Sequence, residues 1–329
     1  MGNRVAAALV ALATLVVAGC GGAASTTSSG PKAPDTLVIA YQPGIGYAPL
    51  LIMKQQHWIE QEYPGTKIEY RLLSNGDAIR DGIISGQIQI GSGGTGPFLV
   101  GWGKGVDYRL IAGLNQMDLW LNVKDQGIQS LKDIKPDTKI ASPAIDSIQA
   151  MALRKLAQDQ LGDAHKLDAN MVAMAHPDGL QNLFAGAIGA HFTSPPYQFQ
   201  EVQRGAHTIA TSYGAFGPST FNSTFTTQRF YDQYPEFVRK LYQDIVKAEQ
   251  MINRDPAGAA TMVATADGKP ELADQYRQWM TTPGTVSYGT KPTGFLSCAE
   301  FMKKIGSIPR SPRTIKELEL PFLQTVGGS

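Results

Sequence analysis

Cysteine is nearly absent from this 329-residue chain: only Cys20 and Cys298 occur. Cys298, within Phe-Leu-Ser-Cys-Ala-Glu-Phe, reads as a small buried apolar residue rather than a nucleophile. The five histidines, His57, His165, His176, His191 and His207, never fall at a metal-ligand spacing such as H-E-x-x-H. No G-x-S-x-G elbow and no G-K-[ST] phosphate loop occurs, which removes the common hydrolase and nucleotide-phosphate motifs. His191 and Ser194 are close in sequence, but their spacing on a strand end puts them on opposite faces. Neither sign of charge is in excess, with 29 basic and 28 acidic residues, so no basic surplus for nucleic acid and no acidic tail is present. After the first twenty residues no apolar run approaches the length of a membrane-spanning helix.

The N-terminus carries the clearest local signal. Arg4 supplies a positive start, an Ala/Val/Leu/Thr run follows, and Val17-Ala18-Gly19-Cys20 closes it. The run is too short and unflanked for a spanning helix and reads as a secretory signal. Its ending resembles a bacterial lipobox, which implies cleavage after residue 19 and lipidation of Cys20. Removing Arg4 leaves 28 basic against 28 acidic residues. Residues 20–35 are mostly Gly, Ala, Ser, Thr and Pro, a flexible tether. With Cys20 lipidated, Cys298 has no partner for an intrachain disulfide. The chain is then exported to a periplasm or the outer face of the cytoplasmic membrane. With 43% hydrophobic residues, the remainder is long enough to bury two cores.

The stretch Gly86 to Phe98, Gly-Gln-Ile-Gln-Ile-Gly-Ser-Gly-Gly-Thr-Gly-Pro-Phe, organises the rest. Ile88 and Ile90 alternate with Gln87 and Gln89, the period of a strand. Four glycines then read as a bare loop, with Thr95 as N-cap and Pro97 in the first turn of a helix. Such a helix start exposes free N–H groups to anions or polar oxygens. Gly91-x-Gly93-x-x-Gly96 also matches the dinucleotide fingerprint, with Asp107 or Asp118 as a loose ribose ligand. An exported oxidoreductase is therefore the competing reading, although an exported protein meets little nicotinamide cofactor.

Around that stretch, strands and helices alternate. Strands are expected at 36–41, 67–73, 108–114, 118–123, 138–142, 170–175 and 187–192. Helices are expected at 48–58, 77–85, from Ile148 to Gly162, 176–184 and from Pro235 and Pro256 onward. The order argues an α/β sheet covered by helices. Segments one hundred residues apart correspond: Gly86 with Gly186, Ile83 with Leu183, Ile84 with Phe184, Ile88 with Ile188. This suggests two lobes of like topology, each offering a loop and helix start at the carboxyl ends of its strands, where open α/β sheets bind ligands. The residues from Tyr213 on open with a turn-rich crossing and become mostly helical.

These features together resemble the solute-binding lipoproteins of nitrate/sulfonate/taurine-type ABC importers. The resemblance rests on Val-Ile-Ala-Tyr-Gln-Pro-Gly at 38–44, Gly93-Gly94-Thr95-Gly96-Pro97 and Ser130-Leu131-Lys132-Asp133-Ile134. Gly186, with the strand ending Thr193-Ser194-Pro195-Pro196-Tyr197, and Tyr234-Pro235-Glu236-Phe237-Val238 add to it. It implies a two-lobed periplasmic-binding-protein fold of type II, each lobe a helix-covered mixed sheet, joined by a two-strand hinge. Lobe one would be 36–115 plus 218–329 and lobe two 116–217. It departs from the family where Gln89 and Gly189 stand near usual aspartates, and where 142–147 lacks the usual glycine. The resemblance further implies a receptor that passes a small solute to an ABC permease and its ATPase. It implies no enzymatic turnover, no cofactor and no nucleic acid, with Cys20 as the membrane anchor. Some proteins of this fold convert pyrimidine precursors with clustered cysteines, which this chain lacks.

The expected ligand-binding residues are Gln42, Tyr47, Gly94 and Thr95 from the first lobe and Asp146, Ser147, Thr193, Ser194 and Tyr197 from the second. Gln116 lies near the expected hinge. Hydroxyls and amides donate or accept, and Tyr47, Trp120 and Tyr197 could form aromatic walls. No lysine or arginine stands in these loops to grip an oxyanion, and Asp146 disfavours one. An organic solute with polar and apolar parts fits better, from the sulfonate, amine, pyrimidine or aromatic-acid classes.

Overall fold

Leu37 to Tyr41 is an unbroken apolar run because both faces of its strand are covered, and it forms β1 (Thr36–Tyr41). The computed structural model describes residues 32–326, so the expected secretion signal, Cys20 and most of the expected tether lie outside the described residues. β1 is followed by β2 (Lys67–Leu72), β3 (Ile90–Gly94), β4 (Tyr108–Gln116), β5 (Trp120–Val123) and β6 (Ile140–Ser142). Then come β7 (Met171–Ala173), β8 (Ala190–Thr193), β9 (His207–Thr211), β10 (Thr220–Thr227) and β11 (Ser287–Tyr288). They form two mixed sheets, one ordered β11-β4-β10-β3-β1-β2 and one ordered β7-β6-β8-β5-β9. β1 runs parallel to β2 and β3 while β10 runs antiparallel to β3 and β4. In the second sheet β6 is parallel to β7 and β8, and β5 is antiparallel to β8 and β9.

The chain passes between the sheets twice, through 117–119 and through 212–219. The two crossings lie side by side at their first-sheet ends, because Thr220 pairs with Gln116. The hundred-residue correspondence extends into the structure. Gly86 and Gly186 both adopt φ +76° after a helix, and the strands that follow start at Ile90 and Ala190. Each of these strands is internal to its sheet.

Three expectations need correction. The glycines after Ile90 are not a loop: Ile90 to Gly94 are β3 itself, every residue buried. A Cβ on Gly91 would sit 2.7 Å from Ile83 Cδ1 and from Phe225 Cε2. The glycines are there so that side chains can cover a central strand, and a pyrophosphate has no bare loop to enter. The dinucleotide reading fails on that ground. Thr95 is not the N-cap; Gly94 occupies that position, and the Thr95 hydroxyl donates to the Thr220 carbonyl at 2.7 Å. The apolar core is also not two cores: one buried cluster runs from Leu37 and Ile39 through Met117 and Leu119 to Leu121 and Phe192. A small satellite holds Ala141, Leu183, Ile188 and Ala206.

Smaller differences follow local chemistry. The expected 48–58 helix breaks at His57, in left-handed conformation at φ 51°, giving Ala48–Gln56 and Trp58–Glu62. The expected turn after Tyr213 contains a short helix, Ser212–Phe216, because Thr211 caps it by accepting from the Gly214 N–H at 3.1 Å. Strand β7 is shorter than the expected 170–175. Pro235–Arg254 is the long amphipathic helix its pattern predicts, with Phe237, Val238, Leu241, Ile245 and Ile252 buried. No helix among the described residues is long and apolar enough to cross a membrane.

Candidate functional site

Between the carboxyl ends of the two sheets lies a narrow cavity of ≈ 30 Å³, lined from both sides. The first sheet's side supplies Gln42, Gly44, Gly46, Tyr47, Gly76, Gly94, Pro97, Phe221 and Asn222. The second supplies Pro143, Ala144, Ser147, Ile148, Gln149, His176, Ser194 and Pro195. None of these residues is lysine, arginine, aspartate or glutamate.

The first wall is a fixed amide and phenol cluster. Gln42 Nε2 donates to the Tyr47 hydroxyl at 3.1 Å, and Asn222 Nδ2 donates to the same oxygen at 2.9 Å. Asn115 Nδ2 holds the Gly46 carbonyl at 2.7 Å. A Cβ on Gly46 would lie 2.3 Å from Asn222 Oδ1, so glycine is required for the loop to sit on the amide. Burial pushes the Tyr47 phenol far above its ordinary pKa, so it stays a neutral hydroxyl.

The second wall is built on a helix start. Ser147 caps the helix Ile148–Leu161, its hydroxyl accepting from the Ala150 N–H at 3.2 Å. Gln149 follows within the first turn and meets His176 at 3.3 Å. His176 is the first residue of the helix His176–Ala185, and its ring stacks on Tyr197 with centroids 5.7 Å apart. Burial, and then the neighbouring His191, hold its pKa well below the usual imidazole value.

Of the ten expected site residues, Gln42, Tyr47, Gly94, Ser147 and Ser194 line the cavity. The other five are elsewhere. Thr95 is turned to the Thr220 carbonyl. Gln116 donates to Thr293 Oγ1 at 2.9 Å beside the crossing. Thr193 is the last residue of β8, its hydroxyl 3.0 Å from His176 Nδ1. Tyr197 backs His176 and lines a neighbouring cavity of ≈ 390 Å³ with Gly44, Leu180, Tyr276 and Trp279. Asp146 is occupied: Arg80 Nη1 reaches its Oδ2 at 3.0 Å across the cleft and Asp77 Oδ1 at 2.8 Å. Burial, and next the nearby Asp77, raise the Asp146 pKa to about 6 despite the arginine. Trp120 packs edge-on to Phe199 at 5.2 Å and lines a separate groove with Trp279.

Sequence reasoning missed Gln149, His176 and Asn222. Gln149 and His176 lie next to helix starts that the sequence does reveal. Asn222 sits in β10, which returns from the far end of the chain and gives no local signal. His191 is turned inward to Glu201 while Ser194 faces the cavity, so the two do not meet. Cys298 is buried and its thiol is pushed up to about 12, which fits the inert role expected for it. Among the described residues no group of three or more His, Cys, Asp or Glu side chains is arranged to hold a metal.

Comparison with solved structures supports the architecture. The periplasmic nitrate-binding protein NrtA from Synechocystis PCC 6803 superposes with a TM-score of 0.74 at 14% identity, covering 89% of this chain and 88% of that one. The ligand-binding component of an ABC-type import system from Staphylococcus aureus, solved with zinc bound, gives 0.70 at 18%, covering 89% and 98%. The periplasmic aliphatic sulphonate-binding protein SsuA from Escherichia coli gives 0.65 at 18%, covering 87% and 98%. At these identities the likeness shows the fold: a two-lobed, type II periplasmic-binding-protein architecture. No curated protein sequence matches the chain. The NMT1-like family model matches residues 30–266, and the chain belongs to the NMT1-like family.

Proposed function

We propose that this protein is the extracytoplasmic solute-binding receptor of an ABC importer, closing on a small organic ligand and delivering it to the permease and its ATPase. Lobe one is 36–115 with 218–329, lobe two is 116–217, and the paired crossings at Gln116 and Thr220 are the hinge. Cys20 anchors the mature chain to the membrane, in a periplasm or on the outer face of the cytoplasmic membrane. The receptor acts without turnover.

The observation that carries this reading is the cavity itself, made half by each sheet and lined by uncharged hydrogen-bonding groups. Its ≈ 30 Å³ admits little more than water, so a solute enters only when the two walls part. Ligand pockets for small organic molecules are roughly ten times larger, which makes opening and closing part of binding. Gln42, Tyr47, Gly94, Ser147 and Ser194 are the predicted contacts, joined by Gln149, His176 and Asn222.

A thermal-shift screen over sulfonates, amines, pyrimidines and aromatic acids tests the reading. A true solute at one hundred times its Kd stabilises the folded chain by about 2.7 kcal/mol. Stabilisation by NADH alone would sink the proposal. The anchor is tested separately: Cys20→Ala releases the protein from the membrane fraction.

A further inference from the structure

A buried line of polar side chains runs from the cavity wall into the second sheet. His176 Nε2 lies 3.3 Å from the Gln149 amide nitrogen, Nε2, on the cavity side. Its other nitrogen, Nδ1, lies 3.0 Å from Thr193 Oγ1 and 3.3 Å from His191 Nε2. His191 Nδ1 is 2.5 Å from Glu201 Oε1, and Asn122 Nδ2 donates to Glu201 Oε2 at 2.9 Å. Thr208 donates to Asn122 Oδ1 at 2.7 Å. His191, Glu201 and Asn122 are 0% exposed. A solute receptor needs no such chain for its packing, and an all-apolar replacement would bury more cheaply.

The proton positions follow from charge. A carboxylate taken out of water is held most cheaply by a positive partner that also donates to it. Among the described residues the ion-pair partner of Glu201 is His191. As an imidazolium, His191 donates from both nitrogens. Its Nδ1–H goes to Glu201 and its Nε2–H goes to His176 Nδ1, which must accept. A neutral imidazole that accepts at Nδ1 carries its proton at Nε2. His176 stays neutral because it is buried, because His191 beside it is positive, and because it stands at the positive end of its own helix.

We infer that Glu201, acting through His191, fixes His176 as a hydrogen-bond donor toward the cavity, so that the solute meets this wall with an oxygen acceptor of the carbonyl, carboxylate or sulfonate kind. The inferred tautomer requires the Gln149 amide to be turned by half from its arrangement here, so that its oxygen and not its nitrogen faces His176 Nε2. An ammonium group, which only donates, is excluded from His176 Nε2. The solute half of the inference rests on the receptor reading; the proton arrangement does not.

The test is nitrogen-15 NMR on the ligand-free, histidine-labelled protein near neutral pH. Expected are a doubly protonated His191 and a His176 with its one proton on Nε2. The isosteric Glu201→Gln removes the need for a charged partner. His191 then becomes neutral with a bare Nε2, His176 donates from Nδ1, and the cavity-facing nitrogen loses its proton. That tautomer exchange is a readout that a merely structural role for Glu201 would leave unmoved. A neutral His191 in the wild type, or a His176 proton on Nδ1, overturns the inference, and this holds even if the variant fails to fold. Acetate and methanesulfonate are then added as probes. They are expected to shift the His176 Nε2–H signal while methylamine does not. A signal unmoved by either oxygen probe, or moved by methylamine, overturns the acceptor assignment. Failure of the receptor reading would look different: a correct tautomer pattern with no importer-dependent uptake of any solute.

Discussion

Gly96→Ala is a sharp probe of how the two walls meet. Gly96 is the second residue of the helix Thr95–Gly103, with no left-handed φ, so alanine suits its backbone. In isolation the change favours the helix by up to about 1 kcal/mol. The closed molecule is another matter. A Cβ there would lie 2.5 Å from the Asp146 carbonyl oxygen, 2.9 Å from the Ile148 nitrogen and 2.9 Å from the Ser147 carbonyl carbon. All three are backbone atoms at the mouth of the second wall, so no flexible side chain can step aside. Contacts under 3.0 Å are essentially never tolerated, so the walls must separate by at least about half an ångström. Overpacking of this kind costs about 1–3 kcal/mol. Because the contact exists only when the walls are closed, the cost falls on closure and not on folding. At 1.4 kcal/mol per decade, closure weakens roughly 5- to 150-fold, and apparent affinity falls by the same factor. The assay is small-angle scattering with a thermal melt, with Gly65→Ala, whose Cβ meets nothing within 4 Å, as control. A larger radius of gyration with a nearly unchanged melting temperature is expected. An unchanged radius would refute the reasoning.

Three further outcomes follow from the same geometry. Asp146, raised to about 6 mainly by burial and then by Asp77, binds its proton more tightly folded than unfolded. Its contribution is therefore fully present below about pH 4 and is lost as pH rises toward about 6, a fall of about 1–3 kcal/mol. Asp146→Asn flattens that slope in a pH series of melts and leaves the protein more stable at neutral pH, with Arg80 still paired to Asp77; an unaltered slope refutes the assignment. Ser147→Ala removes the cap of the helix Ile148–Leu161 and costs about 1 kcal/mol by denaturant unfolding, with no loss refuting the capping role. Gly91→Ala drives a methyl group into Ile83 and Phe225 and destabilises the fold by about 1–3 kcal/mol. NADH fluorescence stays unchanged in both wild type and variant, and cofactor binding that the substitution abolished would restore the dinucleotide reading.

The sequence by itself determined the alternation of strand and helix, the hundred-residue correspondence of the two sheets and most helix starts. These are local matters: the apolar period, a capping serine and a proline in a first turn act over a few residues. It also placed Gln42, Tyr47, Gly94, Ser147 and Ser194 at the cavity, because ligand sites in such sheets fall at strand ends and helix starts. Only the tertiary structure decided the rest. Gly91 to Gly94 read as a loop because glycine has low strand propensity, yet Ile83, Ile79 and Phe225 cover that backbone and make it part of a central strand. Asp146 looked like a ligand group until Arg80, sixty-six residues away, was found to occupy it. His176 and His191 showed no metal spacing and no shared motif, and His176 meets His191, and His191 meets Glu201, only because β8, the helix His176–Ala185 and the helix Tyr197–Gln203 pack together. Contacts of that range depend on which faces are buried against which, and no window of residues carries that information.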